Sequence, residues 1–219
     1  MKKAFILSWF AALLIVGCNN KESKDENGVT VADTSATNVA TNTETTAPLD
    51  SATITKNWMA YMTPGDVHKM MASWDGSWTG NVTMWHTPGA PPEQSTSTTI
   101  NKTIMGGRYQ LSNHTGSMMG QPFEGMSTLA YDNARKIFIS TWIDNVGTGM
   151  MVLEGTWDEA SKTINMAGNM VDPTAGTGKQ MPVKETFKII DDKTQLLEMY
   201  GPASDGKEFK MMEIKFTRK

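Results

Sequence analysis

Few residues of this chain could carry chemistry. Its 219 residues hold three histidines, His68, His86 and His114, and one cysteine, Cys18. A single cysteine excludes an intrachain disulfide and any zinc module built on four cysteines or on two cysteines and two histidines. No Gly-x-Ser-x-Gly elbow, phosphate-cradling glycine-rich loop or His-Glu-x-x-His helix occurs. Two polar residues fall on apolar faces. In the stretch Trp78 to His86 the even positions are mostly apolar, so Trp78, Val82 and Met84 point into a core and His86 joins them at the far end. Val183, Phe187 and Ile189 alternate in step with Glu185. A buried carboxylate is costly unless paired or protonated, so Glu185 needs His86, an arginine or water. Three chemistries fit: an anchor for a ligand head group at the end of an apolar cavity, an internal hydrogen bond, or an acid–base pair in an open cleft. His68, His114 and Arg108 read as surface residues. A three-histidine metal site would require a helix folded across them, and no metal or cofactor is assigned.

The composition narrows the setting. Lys and Arg number 20 against 23 Asp and Glu, a net charge of −3, which excludes a strongly basic nucleic-acid binder. Methionine is unusually frequent at 18 residues. It is flexible and polarizable and fills irregular apolar space. Mean hydropathy is −0.37, with much of the polarity carried by Ser, Thr, Asn and Gly, which points to β-structure and export.

The N-terminus names a compartment. Met1-Lys2-Lys3 is a short positive segment, and Ala4 to Val16 is an apolar run. That run is shorter than the roughly 20 residues a membrane span needs and fits a secretory signal. It ends Leu14-Ile15-Val16-Gly17-Cys18, which resembles the bacterial lipoprotein lipobox. The resemblance implies cleavage after residue 17 and lipid on Cys18, holding the protein on a membrane without a spanning helix. Asn19 resembles the outer-membrane sorting class, periplasmic or surface-exposed. Loss of Lys2 and Lys3 takes the charge from −3 to −5.

Residues 18–53 are rich in Thr, Ser, Asn and acids and show no apolar period. Such a segment cannot bury enough apolar area to fold and reads as a disordered tether. The domain occupies residues 54–219, with one or two short helices within 54–72. Trp58, Met59, Tyr61 and Met62 recur at helical spacing, and Thr63-Pro64-Gly65-Asp66 supplies a second helix start, with Val67, Met70 and Met71 on one face.

Beyond Trp74, strand patterns alternate with turn signals about every ten residues. Nine turn signals, from Thr87-Pro88-Gly89 to Gly201–Gly206, separate ten strands. The expected fold is all-β: an antiparallel up-and-down barrel, because so long a sheet closes to hide its edges. Pairing the first strand with the last sets Trp78 near Arg218 and Met84 near Met212. Leu111 and Tyr109 read as the inward residues of their strand, Phe123, Leu129 and Tyr131 share another face, and Ile164, Met166 and Met170 a third. Trp142 lies in a strand apolar on both faces, which parity cannot assign.

Gly76-Ser77-Trp78 resembles the Gly-x-Trp opening of the lipocalins and their calycin relatives, where a C-terminal arginine packs over the tryptophan. Arg218 stands in that place. Over residues 63–219 the chain also resembles the bacterial family known as domain of unknown function 1579. The matching stretches include Thr63-Pro64-Gly65-Asp66-Val67-His68, Gly106-Gly107-Arg108-Tyr109, Pro122-Phe123-Glu124-Gly125 and Ser140-Thr141-Trp142-Ile143-Asp144. The resemblance implies a calycin-like barrel without established activity or catalytic residues. Some small calycin-like barrels hold haem through one histidine, but no second cue supports it here. The functional expectation is a membrane-anchored module binding a small apolar or amphipathic ligand, with His86, Glu185, Tyr131, Met84 and Met166 as candidate contacts. Met170, Phe187 and Met212 are expected to line the same cavity. The alternatives are a non-catalytic scaffold with an exposed patch near Trp85 or Met211, or an enzyme using His86 and Glu185.

Overall fold

The structure, a computed structural model, describes residues 48–219. The signal segment, Cys18 and most of the tether lie outside the described residues. Helix α1 spans Ser51–Met62. It starts three residues inside the segment assigned to the tether, because Asp50 caps it by accepting the Thr53 N–H at 2.9 Å. Thr63 does not open the second helix. It closes α1 instead, its N–H and hydroxyl both donating to the Met59 carbonyl at 3.1 and 2.6 Å. Helix α2 is Asp66–Ala72, with Gly65 at its N-cap.

Ten strands follow: β1 Gly76–Met84, β2 Glu93–Ile104, β3 Tyr109–Met118, β4 Gln121–Asp132, β5 Ile137–Asp144, β6 Met151–Asp158, β7 Thr163–Val171, β8 Gln180–Asp191, β9 Thr194–Pro202 and β10 Glu208–Arg218. Each pairs antiparallel with the next, and β1 pairs with β10 to close the barrel. All nine turns fall where the sequence signals them. The closing register sets Trp78 opposite Arg218 and Met84 opposite Met212, as the alternation requires.

One end of the barrel is plugged. Met71 of α2 and Trp74 just beyond it enter between the strands and are buried with Phe138, Leu153, Ile164, Met166 and Val183. The plug is also pinned by polar bonds. The Trp74 carbonyl accepts from Trp78 Nε1 at 3.0 Å and Asn101 Nδ2 at 3.2 Å. Gln110 Nε2 donates to the Met71 carbonyl at 2.7 Å. The Arg218 guanidinium lies 4.3 Å from the centre of the Trp78 ring. It donates to the carbonyls of Ser73 and Asp75 at 2.7 and 2.6 Å and to that of Asp192 at 3.0 Å. One side chain thus joins the first strand, the last strand and the segment leading from the plug. By contrast α1 buries no residue.

His68 is not a surface residue. It is 6 % exposed, against Tyr131 at 5.9 Å between ring centres, and its Nδ1 accepts the Gly65 N–H at 3.1 Å. The first turn of α2 turns it inward toward the barrel end.

The methionine-lined mouth as candidate functional site

Away from irregularities at Lys210–Met212 and Ile189–Asp191, register from β1 fixes the inward faces. Trp78 stands opposite Thr99, and Thr99 opposite His114. The inner face of β3 is therefore Gln110, Ser112 and His114, and the expectation that Tyr109 and Leu111 point inward is corrected. Ile104 pairs with Tyr109, so both lie outside. The error has a physical cause: β2 and β3 form a polar inner wall, inverting the usual alternation.

That wall brings His114 into the interior. Its Nδ1 shares a 2.8 Å hydrogen bond with the Thr99 hydroxyl. Its ring stands edge-on to Trp142 at 5.1 Å, with Phe216 at 6.5 Å. Burial lowers its pKa to about 4, so it is neutral at neutral pH. Trp142 faces inward and stacks on Phe123 at 6.2 Å and 18° between planes. Its ring occupies the place where Gly125 lacks a side chain; a Cβ there would lie 2.5 Å from the indole. Trp142 Nε1 donates to Asp144 at 2.7 Å. The other Asp144 oxygen accepts the N–H groups of Val146 and Gly147 at 2.9 Å each. Desolvation pushes the Asp144 carboxyl up, but the bonds from Gly147, Trp142 and Val146 outweigh it and hold its pKa below the ordinary value. Asp144 stays ionised.

The end opposite the plug carries the β1–β2, β3–β4, β5–β6, β7–β8 and β9–β10 connections, the fourth with a single 3-10 turn, Pro173–Ala175. Met84, Phe123, Met151, Met170, Met181 and Met212 face inward there, yet all are only half-buried. From the rim inward, one row of neighbours crosses six strands: Glu93, Met84, Met212, Met199, Glu185 and Met166. Glu185 is 8 % exposed, and burial pushes its carboxyl up to about 7. Among the described residues no hydrogen bond reaches that carboxylate.

The other sequence candidates separate. His86 is not interior. β1 ends at Met84, and His86 lies exposed beyond it, 3.3 Å from Glu93. The His86–Glu185 pair is therefore not formed, and the acid–base chemistry built on it has no geometry. Tyr131 faces inward but at the plugged end, packed on Phe138 at 5.0 Å and on His68. Met166 is 5 % exposed and belongs to the packed core beside Glu185. Phe187 also lies at the plug, 5.5 Å from Trp74. Only Met84, Met170 and Met212 of the expected lining reach the mouth. Two clefts lie elsewhere among the described residues. One, about 580 Å³, is on the outer wall by Thr79, Thr96 and Thr115, and one, about 520 Å³, is beside α2 by Trp74, Trp157 and Arg218. None of the expected lining residues borders either. Among the described residues no three or more His, Cys, Asp or Glu side chains gather as a metal site. The patch expected at Trp85 or Met211 is not formed: Met211, displaced by the irregularity at Lys210–Met212, packs against the core, and Trp85 is partly buried with Lys210 over it at 5.4 Å. The strongly exposed aromatics are Trp58 and Tyr61 of α1.

A closed ten-stranded antiparallel barrel, with a tryptophan on its first strand under an arginine from its last, defines a calycin-like barrel. The chain belongs to the family described as protein of unknown function DUF1579, whose family model matches residues 63–218. It resembles the crystal structure of Rv2717c from M. tuberculosis, with 13 % identity and a TM-score of 0.54 over 72 % of this chain and 99 % of that one. A redesigned β-barrel, b11L5F_LGL, is more distant, with 13 % identity and a TM-score of 0.36 over 68 % of this chain and 94 % of that one. A comparison with curated proteins finds no match. The likeness to Rv2717c concerns the fold.

Proposed function

We propose that the protein is a non-catalytic binding module, held at the bacterial outer membrane by lipid on Cys18, that takes a small apolar or amphipathic molecule into the mouth of its barrel. One observation carries the binding reading: inward-facing methionine and aromatic side chains at the unplugged end are not fully buried, although Met151 and Met170 touch the core. Apolar surface on the inner wall of a barrel is stabilised by filling it, at about 25 cal/mol per Å² removed from water. The flexible thioethers of Met84, Met151, Met170 and Met181 suit a ligand whose shape they can follow. The anchor rests on the lipobox-like sequence before Cys18.

The test is a titration with N-phenyl-1-naphthylamine, an uncharged apolar fluorophore, on the chain Asn19–Lys219. Saturable 1:1 binding that Met170→Lys weakens at least about tenfold, the loss expected when a charge enters an apolar site, supports the reading. Non-saturating fluorescence, or binding indifferent to Met170→Lys, refutes it. Labelling with radioactive palmitate tests the anchor: the full chain takes up label and Cys18→Ser does not. A scaffold reading finds support in one place, the exposed Ile54, Trp58, Tyr61 and Met62 of α1. It predicts that the fluorophore titration fails while α1 still recruits a protein.

A further inference from the structure

The inner wall carries charges of one sign where the mouth opens. Glu93 stands at the rim, Asp144 beside the Trp142 indole, and Glu185 deeper in, on the inward faces of β2, β5 and β8. The inward cation among the described residues is Arg218, which lies at the plugged end and spends its donors on the carbonyls of Ser73, Asp75 and Asp192. Lys184 and Lys188 flank Glu185 along β8 but alternate to the outside. Lys210 is held by Glu198 and Glu213. His86 is exposed beside Glu93. His114 is buried and neutral against Trp142.

Among the described residues, Glu185 therefore has no partner of opposite charge from any strand. It is more than nine-tenths buried, its row neighbours are Met166 and Met199, and no described hydrogen bond reaches it. Once ionised, an isolated buried carboxylate is costly unless something else supplies its counter-charge. The aromatic faces of Phe123 and Trp142 stand on the same inner wall, and aromatic faces attract organic cations. A carboxylate set among methionines, with aromatic faces and a second ionised acid nearer the opening, is complementary to one ligand class.

We propose that the ligand is a lipophilic amine, whose apolar body lies among the mouth methionines and whose protonated nitrogen pairs with Glu185. This deepens the apolar-ligand reading and rests on it. Asp144 and Glu93 draw the cation toward the opening. An anionic amphiphile such as a fatty acid is excluded by the same three carboxylates.

The experiment compares three probes of equal chain length on the chain Asn19–Lys219: decylamine, decanol and decanoate, each below its micelle-forming concentration, by calorimetry at pH 8. Decylamine binds at least about tenfold more tightly than decanol, the order of one charge-assisted hydrogen bond, and decanoate binds weakest. Glu185→Gln brings decylamine down to the affinity of decanol, and an unchanged circular dichroism spectrum with a cooperative urea transition shows that the variant is folded. Equal affinity for decylamine and decanol, or a decylamine preference that survives Glu185→Gln, overturns the amine assignment and leaves the apolar-ligand reading standing. Failure of all three probes and of the fluorophore removes both.

Discussion

Replacing Glu185 by glutamine separates the cost of a buried charge from the packing around it. The carboxyl sits beside Met166 and Met199 with its pKa raised from 4.5 to about 7 by burial. A group whose folded pKa lies above its unfolded value contributes stability at low pH that is lost as pH rises through the folded pKa. Below pH 4.5 Glu185 is protonated in both states and costs nothing. Between pH 4.5 and about 7 the unfolded chain ionises first, and stability falls. Above that window the loss is complete, and at 1.36 kcal/mol per unit it amounts to about 3 kcal/mol. Glutamine is nearly isosteric and cannot ionise. Glu185→Gln is therefore more stable than the wild type by about 3 kcal/mol at about pH 8 and equal to it at about pH 4. With a urea slope of about 2 kcal/mol per molar for a domain of this size, the midpoint rises by about 1.5 M at the higher pH. Tryptophan fluorescence follows the transition. A difference that is the same at both pH values, or a less stable variant at the higher one, refutes the assignment of an unpaired buried carboxyl.

His114 works in the opposite sense. Its folded pKa of about 4 lies below the ordinary 6.5, so its contribution is complete above pH 6.5 and is lost as pH falls toward 4. Its imidazole signals in NMR titrate near pH 4, whereas a midpoint near 6.5 contradicts the buried placement. Arg218→Ala removes three hydrogen bonds and the contact with Trp78, at a cost of about 2–4 kcal/mol in urea unfolding. Arg218→Lys recovers little, because one ammonium cannot span all three carbonyls. Gly155→Ala drives a Cβ into the Asn165 carbonyl oxygen and sets it 2.7 Å from Met166 Cα. Since both obstacles are backbone, it destabilises by about 3 kcal/mol, and a neutral result shows the β6–β7 pair to be looser than described.

The barrel is legible because its punctuation is local. Turn residues such as Thr87-Pro88-Gly89 and Asp191-Asp192 act within a few positions, and the alternation of β1 and β10 agrees on both faces. The Trp78–Arg218 contact comes from a resemblance that geometry bears out. The site is less legible because inwardness in a barrel is set by register around the whole sheet. β3 carries its polar residues inside, so alternation alone assigns Leu111 inward and His114 outward. Counting register from Trp78 through two hairpins gives the opposite and finds His114. β5 is apolar on both faces, so Trp142 and its partner Asp144 need the same count. His86 fails for a simpler reason: the strand ends two residues earlier, and parity means nothing beyond a strand. Thr63 could close one helix or open another, and only the bond to Met59 decides.

The central claim is that the unplugged mouth holds a small molecule. Native mass spectrometry of the chain Asn19–Lys219, incubated with a bacterial lipid extract and repurified without detergent, addresses it directly. A ligand-holding mouth gives a reproducible added mass that vanishes on denaturation, is displaced by decylamine and is reduced by Met170→Lys. A clean unliganded mass, with no gain after incubation with decylamine, decanol or N-phenyl-1-naphthylamine, contradicts it.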